Sequence, residues 1–140
     1  MGALTKIYEE QRSPSAELMG SEFVSFDKEK GELTTRFNPP ASFASPRGAV
    51  QGGLIAGFLD EVMGGALLAV TDEQRLPLNL DMSLSFMRMV PLAPIIAKGR
   101  VVRAGNRVAF LEGELYDEAG KLLARARSTA LPTPVPGAEE

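Results

Sequence analysis

Residues 48–60 read GAVQGGLIAGFLD, and this stretch decides the fold because it opens a long run of apolar residues at helical spacing. The run predicts a helix of roughly five turns, from Gly53 to about Val70. Its apolar stripe consists of Leu54, Ile55, Phe58, Leu59, Val62, Ala66 and Val70. Its opposite face, at about 100° per residue, carries Gly53, Gly57, Asp60 and Gly64. The glycines predict close approach of another group to this face, either a ligand or a packed backbone that leaves Asp60 in solvent.

The chain around this helix reads as antiparallel strands. Two short strands are predicted at residues 23–26 and 33–37, joined by a glycine-containing turn. Alternation of apolar and polar residues from Leu78 to Phe86 predicts a long strand with one buried face. Three further strands are expected at residues 95–103, 107–116 and 121–130. The predicted class is α+β: one domain, residues 1–140, with an antiparallel sheet around one long central helix.

Three segments lack a regular pattern. Residues 38–50 are rich in proline and predict an irregular loop that packs against the domain. Residues 1–20 form an N-terminal segment, in which a weak helical pattern at residues 3–12 is broken by Ser13-Pro14-Ser15. Residues 132–140 are expected to be a disordered tail.

Composition limits the classes of function. The 140 residues are 44% hydrophobic and 24% charged, which is typical of one soluble domain with a buried core. A formal net charge of -3 supplies no basic field for a nucleic-acid partner. The N-terminus has no apolar signal core, and we expect no stretch to reach the ~18 apolar residues of a membrane span. We therefore expect a cytoplasmic protein with no membrane partner.

The chain contains no histidine and no cysteine. A Ser-His-Asp triad, a Cys-His pair and a typical zinc site therefore cannot be assembled, and no metal is expected. Any chemistry must use carboxylates, amides, hydroxyls and backbone dipoles.

A short motif gives a resemblance to a known family. Residues 48–54, GAVQGGL, followed by Leu59-Asp60, resemble the G-x-x-H-G-G motif and the downstream acid of the PaaI-like hotdog-fold thioesterases. Residues 80–86 and 105–110 also resemble later strands of that family, so the similarity extends over roughly residues 30–130. Two positions depart from the pattern: Gln51 stands in place of the motif histidine, and Ser45 in place of an amide residue that many members have.

The resemblance implies a hotdog fold and hydrolysis of an acyl-CoA thioester, with coenzyme A as part of the substrate and no other cofactor. The N–H of Gly53, and that of Gly52, would lie at a helix N-terminus, where unpaired donors can polarise a thioester carbonyl. Gln51 could add an amide donor, or its side chain could bond to local backbone. Asp60 could activate water as a general base or attack as a nucleophile.

Other residues are candidates for binding the substrate. Glu61 is a rival carboxylate about 100° around the helix from Asp60. Ser83 could orient water or substrate, or could be one polar residue of an alternating strand. The phosphates of coenzyme A need cations, for which the candidates are Arg103 and Arg107 beside the Gly105 turn, and then Arg47 and Arg88. Each arginine could equally be a solvated strand-end residue.

A homodimer or homotetramer with sites between subunits is expected, because one small sheet leaves its edges and the glycine face unpaired. Two other functions remain open. A non-catalytic protein that binds acyl-CoA or another acyl ligand is suggested by Gln51 and Ser45, which replace functional residues of the motif. A hotdog dehydratase or hydratase is disfavoured, because the known versions pair an acid with a histidine.

Overall fold

The computed structural model describes residues 12–136 of the chain. In chain order the elements are α1 (Pro14–Leu18), β1 (Glu22–Asp27), β2 (Glu32–Phe37), a 3-10 turn (Ala41–Phe43), α2 (Gly52–Val70), β3 (Arg75–Phe86), β4 (Ile95–Ala104), β5 (Ala109–Tyr116) and β6 (Leu122–Pro134).

The strands form a 6-stranded sheet in the order β1-β2-β4-β5-β6-β3, and every neighbouring pair is antiparallel. Helix α2 packs against β2 to β6 on one face of this sheet. The predicted fold class is therefore confirmed: the chain is a hotdog domain, with an antiparallel sheet around one long central helix. β3 and β1 are the two edge strands.

Glycines in the strands allow α2 to lie close to the sheet. A Cβ added at Gly99 on β4 would lie 2.3 Å from the carbonyl oxygen of Val62, so no side chain fits there. On β5, a Cβ at Gly113 would lie 3.0 Å from Met63. Phe58, Leu59, Val62 and Met63 of α2 are fully buried, or nearly so, and form the centre of the core.

Helix α2 is more apolar than expected from the sequence. By length and composition, Gly52–Val70 could cross a membrane, so the expectation that no stretch reaches that threshold was wrong. The core helix of a soluble protein meets the same criterion, because both must be apolar around most of their circumference. In the folded chain 56% of its apolar window is buried, and it packs against the sheet.

The predicted buried face of β3 was only partly right. Met82 and Leu84 are partly buried and pack against the core, but the other apolar residues of that face are exposed. Leu78 and Leu80 are each 58% exposed, and Phe86 is 56% exposed. The pairing of β3 with β6 shifts between Asn79 and Asp81, which leaves Leu80 as an extra residue and interrupts the alternation. β3 is also an edge strand, so nothing in the described chain covers its outer side.

Both ends of the described chain differ from expectation. β6 continues to Pro134 and pairs with β3, so residues 132–134 are strand rather than disordered tail. Beyond Ala130, β3 is the only strand among residues 12–136 that pairs with β6. Few backbone hydrogen bonds are therefore lost to the prolines of this segment. Ser13-Pro14 begins α1 instead of merely breaking a helix, since the Ser13 side chain accepts from the N–H of Ala16 and proline suits a first helical position. Residues 1–11 and 137–140, with most of the predicted weak helix, lie outside the described residues.

Candidate functional site

The N-terminus of α2 presents two free backbone donors. Gln51 is the N-cap residue, and its Oε1 accepts a hydrogen bond of 3.2 Å from the N–H of Leu54. The N–H of Gln51 bonds to Phe43 O at 2.9 Å, which fixes this end of the helix. Within residues 12–136, the N–H groups of Gly52 and Gly53 have no acceptor. Because they lie at the positive end of the helix dipole, they can donate to an oxygen that carries negative charge.

Gly53 is required by the cap itself. A Cβ at residue 53 would lie 2.9 Å from Gln51 Oε1, so the cap and a side chain at this position exclude each other. One of the two predicted roles of Gln51, a hydrogen bond between its side chain and the local backbone, is therefore present. Its Nε2 has no partner among the described residues and can still act as a donor.

Asp60 lies on the exposed side of α2 and is held by a neighbour on the sheet. Asn79 Nδ2 donates to Asp60 Oδ1 at 2.6 Å. Asn79 precedes the irregularity in β3, and its register partner Ala130 is fully buried, so this position faces the helix. Sequence reasoning treated Asn79 as an ordinary polar residue of an alternating strand. The amide side chain was the only feature of the sequence that could have indicated a role for Asn79. The register shift that turns Asn79 towards Asp60 has no recognisable sequence pattern.

Glu61 differs from Asp60 in its environment. It is half-buried, and burial, followed by the negative charge of Asp60, raises the pKa of its carboxyl above the ordinary value. Both carboxylates line a cleft of about 480 Å³ between α1, α2 and the start of β3. Asn79 also lines this cleft.

The predicted glycine face is only partly open. Met19, which follows α1, lies over Gly57, since its Cε is 3.0 Å from the position of a Cβ there. Pro77 of β3 lies 3.6 Å from the corresponding position at Gly64, which is buried. At these two glycines the approaching group is this chain itself, whereas Gly53 and Asp60 remain exposed.

Ser45 lies near the N-terminus of α2. Its Oγ accepts from the N–H of Arg47 at 3.3 Å within the turn that precedes the helix. Ser45, Arg47, Gly52, Phe86 and Arg88 line one shallow pocket of about 330 Å³. The structure thus brings Ser45 and Gly52 together. Arg88 donates to the carbonyl oxygen of Leu122 at 2.7 Å, whereas Arg47 is exposed and has no side-chain partner within the described chain.

Three other predicted residues lie elsewhere. Ser83 pairs with the exposed Arg127 on the sheet face that points away from α2, so one chain does not bring it to Asp60. Arg103 and Arg107 flank the turn between β4 and β5. That end of β4 lies near Val70, because Val70 and Val101 are both within 4.0 Å of a Cβ built at Gly31. Both arginines are therefore at the opposite end of α2 from Gly52.

No group of three or more acids that could hold a metal occurs within the described part of the chain. The site thus consists of two backbone donors and an amide at one end of α2, and an oriented carboxylate further along the helix. Donors for a developing oxyanion and a carboxylate for water are the groups that hydrolysis of an activated acyl compound needs.

Comparison with known proteins gives the family. Residues 47–124 match the model of the thioesterase superfamily. A candidate esterase of Saccharolobus solfataricus is 30% identical over 98 residues, which cover 70% of this chain and 69% of the relative. The chain belongs to the thioesterase superfamily, and thioester hydrolysis in general is the activity that these matches support.

Solved structures agree with this assignment. A candidate thioesterase related to phenylacetic acid degradation, from Ralstonia eutropha JMP134, has a TM-score of 0.82 and 28% identity, covering 91% of this chain and 98% of that one. A Streptococcus mutans protein bound to acetyl-CoA has the same fold, with a TM-score of 0.75 and 19% identity over 90% of this chain and 95% of that one. The resemblance to PaaI-like hotdog thioesterases is confirmed.

Proposed function

We propose that this protein hydrolyses acyl-CoA thioesters at a site shared by two copies of the chain. One copy contributes the N–H groups of Gly52 and Gly53, and the other contributes Asp60. One observation carries the proposal: the same helix has two backbone donors without an acceptor at its N-terminus and, further along, a carboxylate that Asn79 holds in place.

The distance along α2 requires two copies. Gly53 and Asp60 are seven residues apart, which corresponds to about 10 Å at ~1.5 Å per residue. The donors must lie about 3 Å from the carbonyl oxygen, and the base must lie about 3 Å from the water or carbon with which it reacts. Donors and base must therefore be close to each other. One helix cannot meet that requirement, but two antiparallel helices can place Asp60 of one copy beside Gly53 of the other.

The edge strand β3 is suited to join the copies. Its outer side is unpaired in the described chain, and it exposes Leu78 and Leu80. Unpaired edges with apolar side chains favour pairing with another strand, and antiparallel pairing of β3 with its copy would also make the two α2 helices antiparallel. A dimer or a tetramer of such dimers is compatible with this arrangement.

Each residue then has a defined task. The N–H groups of Gly52 and Gly53 stabilise the negative charge that develops on the thioester oxygen, and Gln51 Nε2 can add a donor. Asp60 either removes a proton from water, which attacks the carbonyl carbon, or attacks that carbon itself to form a mixed anhydride that water then hydrolyses. In both routes the C–S bond breaks and the thiolate of coenzyme A leaves. Asn79 binds one oxygen of Asp60 and leaves the other oxygen for chemistry.

Coenzyme A as the leaving group is supported by the acetyl-CoA bound to the Streptococcus mutans protein of the same fold. In this chain Arg47 is the best-placed cation, because it is exposed beside Gly52 and free to meet a phosphate. We propose a cytoplasmic location, where acyl-CoA is available as substrate.

The test is release of free thiol from a panel of aryl and aliphatic acyl-CoAs. Wild type is expected to turn over at least one of them, and Asp60→Asn none, because the change keeps the shape of the side chain but removes the base. Asp81→Asn is the matched control, since Asp81 is exposed on the far face of the sheet and should behave as wild type. Equal rates in Asp60→Asn and wild type would exclude Asp60 from the reaction.

A second candidate function is binding of acyl-CoA without turnover. It is favoured by Gln51, whose Oε1 is used as a helix cap, in place of the histidine of the family motif. Saturable binding of an acyl-CoA by wild type, with no thiol released from any member of the panel, would support this function instead.

A further inference from the structure

The cleft beside Asp60 extends well beyond the proposed reacting carboxylate. We call it the Asp60 cleft: the cavity of about 480 Å³ that Asp60, Glu61, Leu68, Glu73, Leu76 and Val135 line. Leu68, Leu76, Val135 and the adjacent Pro77 make its walls largely apolar. Its size and character suit the acyl part of a small thioester.

Asp60 and Glu73 both line this cleft. The N–H of Glu73 bonds to the carbonyl oxygen of Leu68 at 2.7 Å, which holds Glu73 beside Leu68. Leu68 is eight residues after Asp60, or about 12 Å along the helix. An acyl chain of medium length whose carbonyl lies at Asp60 would therefore end near Glu73.

Glu73 has an acceptor that the described chain does not satisfy. Its Oε1 is buried and has no hydrogen-bond partner among residues 12–136. Arg12 also lines the cleft, but its guanidinium donates to the carbonyl oxygen of Ser21, and no salt bridge joins it to Glu61 or Glu73. A buried carboxylate oxygen without a donor is costly, so a donor from outside the described chain is expected there.

The backbone of Glu73 belongs to the left-handed turn that ends α2. Its φ is 65°, a left-handed conformation that a residue with a long side chain rarely adopts. A glycine or asparagine would be the ordinary choice for this conformation. The chain instead carries a carboxylate here, and its Oε1 has no hydrogen-bond partner among residues 12–136.

We propose that the Asp60 cleft holds the acyl group, and that Glu73 selects acyl groups with a hydrogen-bond donor, a hydroxyl or an ammonium, at the end remote from the thioester. This inference rests on the proposed function, because it takes Asp60 as the reacting end of the cleft. Glu61 adds a second carboxylate to the wall of the cleft. Two carboxylates favour binding of acyl groups that carry a hydrogen-bond donor over acyl groups that carry only an acceptor.

The experiment measures binding apart from turnover. The Asp60→Asn protein is titrated by calorimetry with octanoyl-CoA, 8-hydroxyoctanoyl-CoA and 8-aminooctanoyl-CoA. We expect at least one donor-bearing thioester to bind about tenfold more tightly than octanoyl-CoA, the effect of one hydrogen bond to a charged acceptor. The hydroxyl and ammonium arms identify which donor the site prefers.

Variants assign the preference to Glu73. In Asp60→Asn/Glu73→Met the donor-bearing and plain thioesters should bind equally, because the acceptor is gone while the length of the side chain is kept. Asp60→Asn/Glu29→Met is the matched control: Glu29 is exposed in the turn between β1 and β2, and the preference should persist. Equal binding by the parent protein, or a preference that survives Glu73→Met, would overturn the proposal, since ordered water would then satisfy Glu73.

Wild-type kinetics separate the two proposals. If the Asp60→Asn protein prefers donor-bearing thioesters but wild type releases no thiol from any of them, the specificity stands and the hydrolysis fails. If wild type hydrolyses all three with equal kcat/KM and the variant binds them equally, the hydrolysis stands and the specificity fails.

Discussion

Asn79 and Asp60 lie on different elements, β3 and α2, yet Asn79 Nδ2 is only 2.6 Å from Asp60 Oδ1. This hydrogen bond fixes the carboxylate that we assign to catalysis. A charge-assisted bond of this kind restricts rotation of the carboxylate and leaves its second oxygen in a defined direction.

Asn79→Ala should therefore lower kcat about tenfold with little change in KM, because it removes orientation of the base rather than substrate binding. Steady-state thiol release measures both constants. Ser83→Ala is the control on the same strand: Ser83 faces away from α2, and its change should leave both constants as in wild type. A rise in KM alone in Asn79→Ala would instead make Asn79 a substrate contact.

The environment of Glu61 predicts how stability depends on pH. Because burial and Asp60 raise the pKa of Glu61 from its ordinary value of 4.5, the folded state binds this proton more tightly than the unfolded state does. The free energy of unfolding should fall as pH rises from about the ordinary value through the raised value.

Urea unfolding of wild type and Glu61→Gln across this pH range checks the sign. Glu61→Gln should remove part of the decline and be the more stable protein at neutral pH. Exposed Glu17→Gln is the control and should follow wild type. A steeper decline in Glu61→Gln than in wild type would contradict the assigned cause.

Two glycines should differ strongly in how their replacement by alanine affects stability. Gly99→Ala places a Cβ 2.3 Å from the Val62 carbonyl, a contact with backbone that cannot move cheaply, so it should cost about 3 kcal/mol or prevent folding. Gly57→Ala meets only the flexible end of Met19 at 3.0 Å and gains helix propensity, so its change should lie within about 1 kcal/mol of wild type. Thermal unfolding measures both, and equal losses would contradict this packing of α2 on β4.

The edge of β3 predicts the effect of charge on assembly. If the proposed oligomer forms through β3, Leu80→Lys should convert it to a monomer and abolish thiol release, because a lysine at an edge opposes strand pairing and is costly to bury. Light scattering measures the mass, and circular dichroism checks that the fold is kept. Val102→Lys is the matched control, since Val102 is also exposed, at 55%, but lies on β4 away from this edge. Loss of the oligomer in Val102→Lys but not in Leu80→Lys would place the interface elsewhere.

The fold could be predicted because each element has its own local pattern. The apolar spacing after Gly53 gave α2, and the turns around Gly31, Gly105 and Gly120 separated the strands. The boundary of β6 was missed because Pro132 and Pro134 read as a tail. They are compatible with a strand only because β5 no longer pairs with that part of β6, which is a property of the sheet rather than of the segment.

The site was predictable in part. Gly52, Gly53 and Asp60, the residues of the proposed site, were predicted from their position on one helix and from the family motif. Asn79 was missed and Ser83 was chosen instead, because a single register shift in β3 decides which of the two faces α2. Arg103 and Arg107 were chosen for their turn, whereas the direction of β4 relative to α2 places them at the far end of the helix.

The central claim, that one copy supplies Gly53 and the other supplies Asp60, is tested most directly by subunit complementation. Asp60→Asn and Gly53→Val are each expected to be inactive, the second because its side chain would displace the Gln51 cap and block the donors. When the two proteins are unfolded together in equal amounts and refolded, half of the dimers combine one chain of each kind, and each has one intact site. We expect thiol release to recover to about a quarter of the wild-type rate. A mixture as inactive as its two components would contradict a site shared between copies.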